Sequence, residues 1–223
     1  MFPLRDDQPT FSPPIVTTLL IVACAFVFLY EISLDEYTRD FLVNRYGLVP
    51  AHFRPVALVT SMFLHGGWGH IVGNMLFLWA FGRSLEDAMG HTKFLGFYFA
   101  VGIVAGIVHV MFNADSRMPT VGASGAIAGV MGAYLIKFPR AEIRTLVFII
   151  VFFTTVDIPA AAILVYWFVL QLFSGYGSIA HTHVSDSGVA WFAHIGGFIA
   201  GMVLISIMGT RQRYFPRRRN LYW

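Results

Sequence analysis

The sequence predicts an all-α membrane protein of six transmembrane helices, the fourth of them short, and three observations carry that reading. Of the 223 residues 57% are hydrophobic and only 12% charged, where an ordinary soluble domain carries about 25% charged residues. Six apolar runs are separated by polar or Gly/Pro punctuation, the pattern expected of helices that cross a hydrocarbon core needing roughly 20 apolar residues each. Lys and Arg are unevenly divided between the two sets of connecting segments, as membrane insertion requires.

The first helix is expected over residues 15–30, after the prolines of "SPP". The leader "MFPLRDDQPTFSPP" is polar, and no small-residue cleavage site follows the first helix, so that helix is read as retained behind a cytoplasmic segment, 1–14. The single cysteine, Cys24, lies mid-helix, forms no intrachain disulfide and reads as a small buried thiol. A long outer loop occupies 31–66, where "GLVPAHFRP" signals turns and a surface-lying segment; loops of this length usually have a job. The second helix covers 68–81 and the third 94–112. The fourth runs from Ser124 to residue 138, stops before Pro139 and is too short to span a bilayer unaided. The stretch "IRTLVFIIVFFTTV", 143–156, is either a tilted lead-in to the fifth helix or a separate interfacial segment. The fifth helix is placed at 159–173 and the sixth at 189–208, which makes 15–208 one helical domain with a basic tail, 209–223.

With both termini in the cytoplasm, 11 of the 15 Lys and Arg residues fall on the cytoplasmic side, leaving Arg39, Arg45, Arg54 and Arg117 outside. That orientation places Ser124 near the outer face of a multi-pass protein of the plasma or inner membrane. The absence of transit-peptide character points to a bacterial membrane. The net charge of +3 follows from the same asymmetry, and the tail "RQRYFPRRRN" fits anionic lipid headgroups rather than nucleic acid.

Chemistry concentrates in three short motifs. In "GASG" the serine, Ser124, stands at the first position of a helix, where free backbone N–H groups and the positive dipole end stabilise an anion. A serine there is equally a favoured N-cap, and glycines in membrane helices often mean only close packing. The soluble-hydrolase elbow G-x-S-x-G is not present, because Ala126 replaces its second glycine. A serine nucleophile needs a base, and His194 in "AHIGGFIAG" lies within an otherwise lipid-grade helix, where ionisable groups are functional by default. Gly197 and Gly201 share its face, and Gly125, Gly129 and Gly132 repeat along the fourth helix, so the two helices can approach closely enough to bring imidazole to hydroxyl. In "HGGWGHIVGN", His70 and Asn74 are four residues apart on one helix face, two N–H donors suited to a developing oxyanion. Singly they would serve as interhelical polar glue.

Together these residues resemble the rhomboid family of intramembrane serine proteases: Gly122, Ser124 and Gly125 in "GASG", Ala193, His194, Gly197 and Gly201 in "AHIGGFIAG", and His70 with Asn74. The resemblance covers essentially the whole chain. It implies a six-helix bundle whose short fourth helix starts at the serine under a water-filled depression, a Ser–His dyad without a third carboxylate, and neither cofactor nor metal. Ser124 is then nucleophile, His194 general base and acid, and His70, Asn74 and the Ser124 N–H the oxyanion hole, with Gly122, Gly125, Gly129, Gly197 and Gly201 supporting the site. The resemblance also implies that substrates are transmembrane segments of other membrane proteins, entering near the second and fifth helices beneath a mobile cap, "SGYGSIAHTHVSDSG". Glu86 in "GRSLEDAMG" is structural in this pattern.

The chain departs from the rhomboid pattern at two places. Val56 and Ala57 occupy the positions of a Trp-Arg pair common in the first loop, three residues before the Thr matching Thr60, with Arg54 near but unaligned. Ala128 stands where the best-studied relatives stack a tyrosine on the base, so what orients His194 is left to an aromatic of the sixth helix, Trp191 or Phe192. Two other readings compete: a rhomboid-fold binder without proteolysis, and a membrane protein whose histidines, His65, His70, His109, His181, His183 and His194, ligate metal or haem. The second lacks an HExxH, and "HTH" is a weak ligand pattern.

Overall fold

The apolar runs other than 143–156 become helices that start or stop where the pattern is broken. A computed structural model describes residues 2–149, 152–180 and 190–210. The helices are α1 (Ile15–Ser33), α2 (Glu36–Tyr46), α3 (Ala57–Thr60), α4 (Trp68–Met89), α5 (His91–Phe112), α6 (Ser124–Lys137), α7 (Ala160–Ala180) and α8 (Trp191–Met208), with a 3-10 turn at Pro50–His52. By length and apolar character α1, α5 and α8 are capable of crossing a membrane, and α6 and the Ala160–Tyr176 part of α7 are shorter apolar helical stretches. The 14 residues of α6 rise about 21 Å, less than a hydrocarbon core. All of residues 125–134 are buried.

The fold is not all-α. Strands β1 (Phe2–Asp6), β2 (Glu142–Ile149) and β3 (Phe152–Pro159) form an antiparallel sheet in the order β1-β2-β3. Glu142–Ile149 and Phe152–Pro159 are therefore paired strands and not a helical lead-in to the fifth helix, and the leader 1–14 contributes a strand. The composition of 143–156 explains the outcome: Ile143, Thr145, Val147, Thr154, Thr155 and Val156 are β-branched and favour a pleated surface. Arg144 sits opposite Asp157 and grips both carboxylate oxygens at 3.0 and 3.1 Å. Pro3 lies on the edge strand, where its missing N–H is tolerated.

The helix α4 runs eight residues past its expected end because its late charges are all used. Asp6 is buried and accepts from Arg83 at 3.2 Å and from the Tyr134 hydroxyl at 2.7 Å. Burial pushes the Asp6 carboxyl up from its ordinary value, and these donors pull against that shift. Glu86 accepts from the Val16 and Thr17 N–H groups, both at 2.8 Å, and from the Thr17 hydroxyl. It thus caps α1 from outside, since Pro14 at the N-cap offers no side-chain acceptor. Asp87 accepts from the Ser12 N–H at 2.9 Å. Gly90 alone joins α4 to α5 with φ +83°, a reversal that glycine makes without steric cost.

Within the long loop, 31–66, the expected turns are accompanied by α2, which has no buried residue and is opened by Asp35 accepting from the Thr38 N–H. The loop is fastened to the segment before Ser124 by a Leu48–Thr120 bridge and by the Gly122 N–H donating to the Ser61 carbonyl at 2.9 Å. In the centre, α6 packs most extensively on α8 and then on α5 and α4. The contact between α6 and α8 is backbone on backbone: a Cβ on Gly197 would overlap the Gly125 carbonyl, one on Gly201 the Gly129 carbonyl, and one on Gly132 the Phe198 carbonyl.

Candidate active site

The glycine contact between α6 and α8 sets the depth of two polar side chains. Ser124 occupies the first turn of α6 behind Ala123, which supplies no side-chain cap. Its hydroxyl is thus not spent as an N-cap. It lies 2.8 Å from Nε2 of His194 in the first turn of α8. On the far side of the ring, Nδ1 is 2.7 Å from Oε1 of Gln171 in α7. Trp167, one turn earlier on α7, places its ring centroid 5.5 Å from that of His194 at 43°.

These two groups differ from the partners expected in sequence. Trp191 lies edge-on to His194 at 6.3 Å, farther than Trp167, and Phe192 stacks on Phe112 at 4.7 Å. The missed signal was a lone amide in the apolar run "ILVYWFVLQLF", four residues after a tryptophan and so on the same helix face.

His70 and Asn74 converge on the same place from α4. The Gly66 N–H donates to Nδ1 of His70 at 3.4 Å, which leaves Nε2 carrying the ring proton. That nitrogen faces Gly122, whose Cβ, if it had one, would stand 2.7 Å from it and 3.5 Å from Nδ2 of Asn74. Gly122 has φ +123°, so both its backbone angle and its crowded side exclude a side chain. The Asn74 amide nitrogen is buried without a partner among the described residues, a donor whose desolvation is uncompensated until something accepts from it. Ser124, His194, His70 and Asn74 all line one cavity of about 560 Å³, with Trp167 and Met131 among its apolar walls.

The other histidines have separate surroundings. His65 packs edge-on against His70 at 5.3 Å, and burial pushes its imidazole down to about 4, so it is neutral near pH 7. His109 Nε2 is 2.9 Å from the Thr120 hydroxyl. Among the described residues no group of three or more His, Cys, Asp or Glu side chains is placed to hold a metal ion. His181, His183 and most of the proposed cap, 181–188, lie outside the described residues, as does the tail from residue 211.

The family model for the Rhomboid domain matches residues 52–211, which include Ser124, His194, His70 and Asn74. The chain belongs to the rhomboid family. It is 31% identical over 210 residues to the rhomboid protease GluP of Bacillus subtilis, covering 92% of this chain and 36% of that one. It is 30% identical over 202 residues to the mitochondrial presenilin-associated rhomboid-like protein A of Danio rerio, 89% of this chain and 48% of that one. Over 152 residues it is 30% identical to the mitochondrial rhomboid protein 1 of Saccharomyces cerevisiae, 66% of this chain and 40% of that one. This rhomboid thus spans less than half the length of these relatives. Family and apolar helices together make it a membrane protein. Relatives from a bacterium, a fish and a yeast do not support the expectation of a bacterial source.

Proposed function

We propose that this rhomboid is an intramembrane serine endopeptidase that cleaves transmembrane segments of other proteins near the outer membrane face. The observation that carries the reading is the 2.8 Å contact between Ser124 Oγ and His194 Nε2 at a cavity that also receives His70 and Asn74. In this reading α1, α4, α5, α6, α7 and α8 are the six spans, the short α6 forms the floor of a depression open to water, and both termini are cytoplasmic. The unit 15–208 carries the activity, and the basic tail rests on anionic lipid.

The reaction follows from the geometry. Ser124 transfers its proton to Nε2 of His194 as its oxygen attacks the scissile carbonyl carbon, and the carbonyl π pair moves onto oxygen. Nε2–H of His70, the amide N–H of Asn74 and the Ser124 backbone N–H receive that charge. The imidazolium then protonates the leaving nitrogen and the C–N bond breaks; a water deprotonated by His194 adds to the acyl carbon, the bond to Ser124 Oγ breaks, and His194 returns that proton to the serine oxygen. A helical substrate must unwind before its carbonyl reaches the serine, so small and helix-breaking residues near the cut are favoured.

A serine-directed fluorophosphonate distinguishes this from the non-proteolytic reading. Detergent-solubilised wild type should label, and Ser124→Ala should not; a folded wild type that stays unlabelled would leave a client-binder as the function. Asn74→Ala and His70→Ala should each lower kcat for a transmembrane peptide by about 10²- to 10³-fold with little change in KM, the usual effect of one lost oxyanion donor. Equal losses in KM and none in kcat would reassign them to substrate binding.

A further inference from the structure

We infer that Gln171 is the positioning residue of the base: its amide oxygen fixes the tautomer and ring orientation of His194. The inference rests on the serine-protease reading above and adds a residue to it.

The argument starts with the amide itself. A glutamine presents an oxygen that only accepts and a nitrogen that only donates, so its orientation decides which tautomer the facing imidazole adopts. The nitrogen of Gln171 donates to the Trp167 backbone carbonyl at 3.3 Å, an acceptor that cannot take the place of a donor. The oxygen must therefore face His194, at 2.7 Å from Nδ1. Nδ1 then carries the ring proton, and Nε2 is left with a lone pair directed at the Ser124 hydroxyl, 2.8 Å away. The reverse amide would donate to Nδ1 and protonate Nε2, giving a histidine unable to accept the serine proton.

Burial makes the arrangement exclusive. Gln171 is 6% exposed and His194 9%, so water competes poorly for Nδ1, and removing the oxygen would leave a buried N–H unsatisfied. The hydrogen bond does what a carboxylate does in a three-residue serine protease, holding the imidazole in tautomer and orientation. It does so with a neutral dipole, consistent with a low-dielectric site in which an unpaired carboxylate would be costly. Trp167, from the same face of α7, closes the ring from the side. Orientation of the base thus comes from α7, not from the helix that carries it.

The test compares Gln171→Leu, which keeps the volume and loses the acceptor, with Gln171→Glu, which restores one. Fluorophosphonate labelling is followed as a function of probe concentration, and thermal unfolding of each variant is recorded in the same detergent. Gln171→Leu is expected to lower the maximal labelling rate about ten- to hundredfold, the usual cost of removing a partner that orients a histidine, with probe affinity unchanged. Gln171→Glu is expected to recover most of that loss. In wild type labelled with ¹⁵N-histidine, the His194 resonances, assigned by their loss in His194→Gln, should show a protonated Nδ1 and a bare Nε2. A folded Gln171→Leu that labels at the wild-type rate, or a wild-type His194 protonated at Nε2, overturns the inference. A wild type that does not label at all overturns the protease reading instead.

Discussion

Ser124→Ala, His194→Ala and the double variant are expected to lose the same factor in the rate of cleavage, about 10⁴-fold or more, with no further loss on combining them. The reason is that in the proposed mechanism the two side chains perform one step. The hydroxyl is a weak nucleophile until a base accepts its proton, and the base has no task without that proton. Their 2.8 Å separation is the geometry in which each removal abolishes the function of the other, so the double-mutant cycle should return a coupling nearly equal to either single loss. A factor of 10⁴ corresponds to about 5.4 kcal/mol of barrier. What survives should be the contribution of the oxyanion donors on α4 and of substrate binding. Single-turnover cleavage of a labelled transmembrane peptide in vesicles measures all three variants on one scale. Additive losses would mean that Ser124 and His194 act in separate steps, and the dyad would have to be abandoned.

The helical runs and the meeting of Ser124 with His194 were legible in sequence for a physical reason: both follow from patterns within short segments. Runs of apolar residues bounded by Pro14, Gly67, Gly90 and Pro139 specify their own hydrogen bonds and need no distant partner. "GASG" and "AHIGG" announce both a close helix contact and what tops it, and α6 and α8 meet there. What escaped is what depends on partners remote in the chain. Residues 2–6 form a strand only because β2 lies beside them, with Phe2 opposite Leu146, and no periodicity within either segment states that pairing. The end of α4 was set too early because Arg83, Glu86 and Asp87 look like the edge of a membrane. In the fold they are satisfied by Asp6, by the start of α1 and by Ser12. Gln171 escaped similarly: the sequence shows an amide on a lipid-grade helix, but only the packing of α7 on α8 shows that it faces His194.

Gly197→Ala is expected to disable the proposed activity without altering the side chain of Ser124 or His194. The added methyl would overlap the Gly125 carbonyl, which is backbone and cannot rotate away, and would stand 3.3 Å from the Ala105 Cβ on the other side. Relief therefore requires α6 and α8 to separate, and these are the helices that carry Ser124 and His194. Overpacking of this kind usually costs about 1–3 kcal/mol of stability. The catalytic cost should be larger, because a displacement near 1 Å at a reacting pair commonly lowers the rate about 10²-fold. Gly96→Ala is the matched control: it lies in α5 with nothing within 4 Å of a new Cβ, and an interior helix position should gain about 0.5–1 kcal/mol from losing a glycine. Thermal unfolding and fluorophosphonate labelling, measured on both variants, separate the two effects. If Gly197→Ala proved as stable and as reactive as Gly96→Ala, the glycine contact could not be what holds the serine against its base. The register of α6 on α8 would then have to be set by the apolar side chains around that contact.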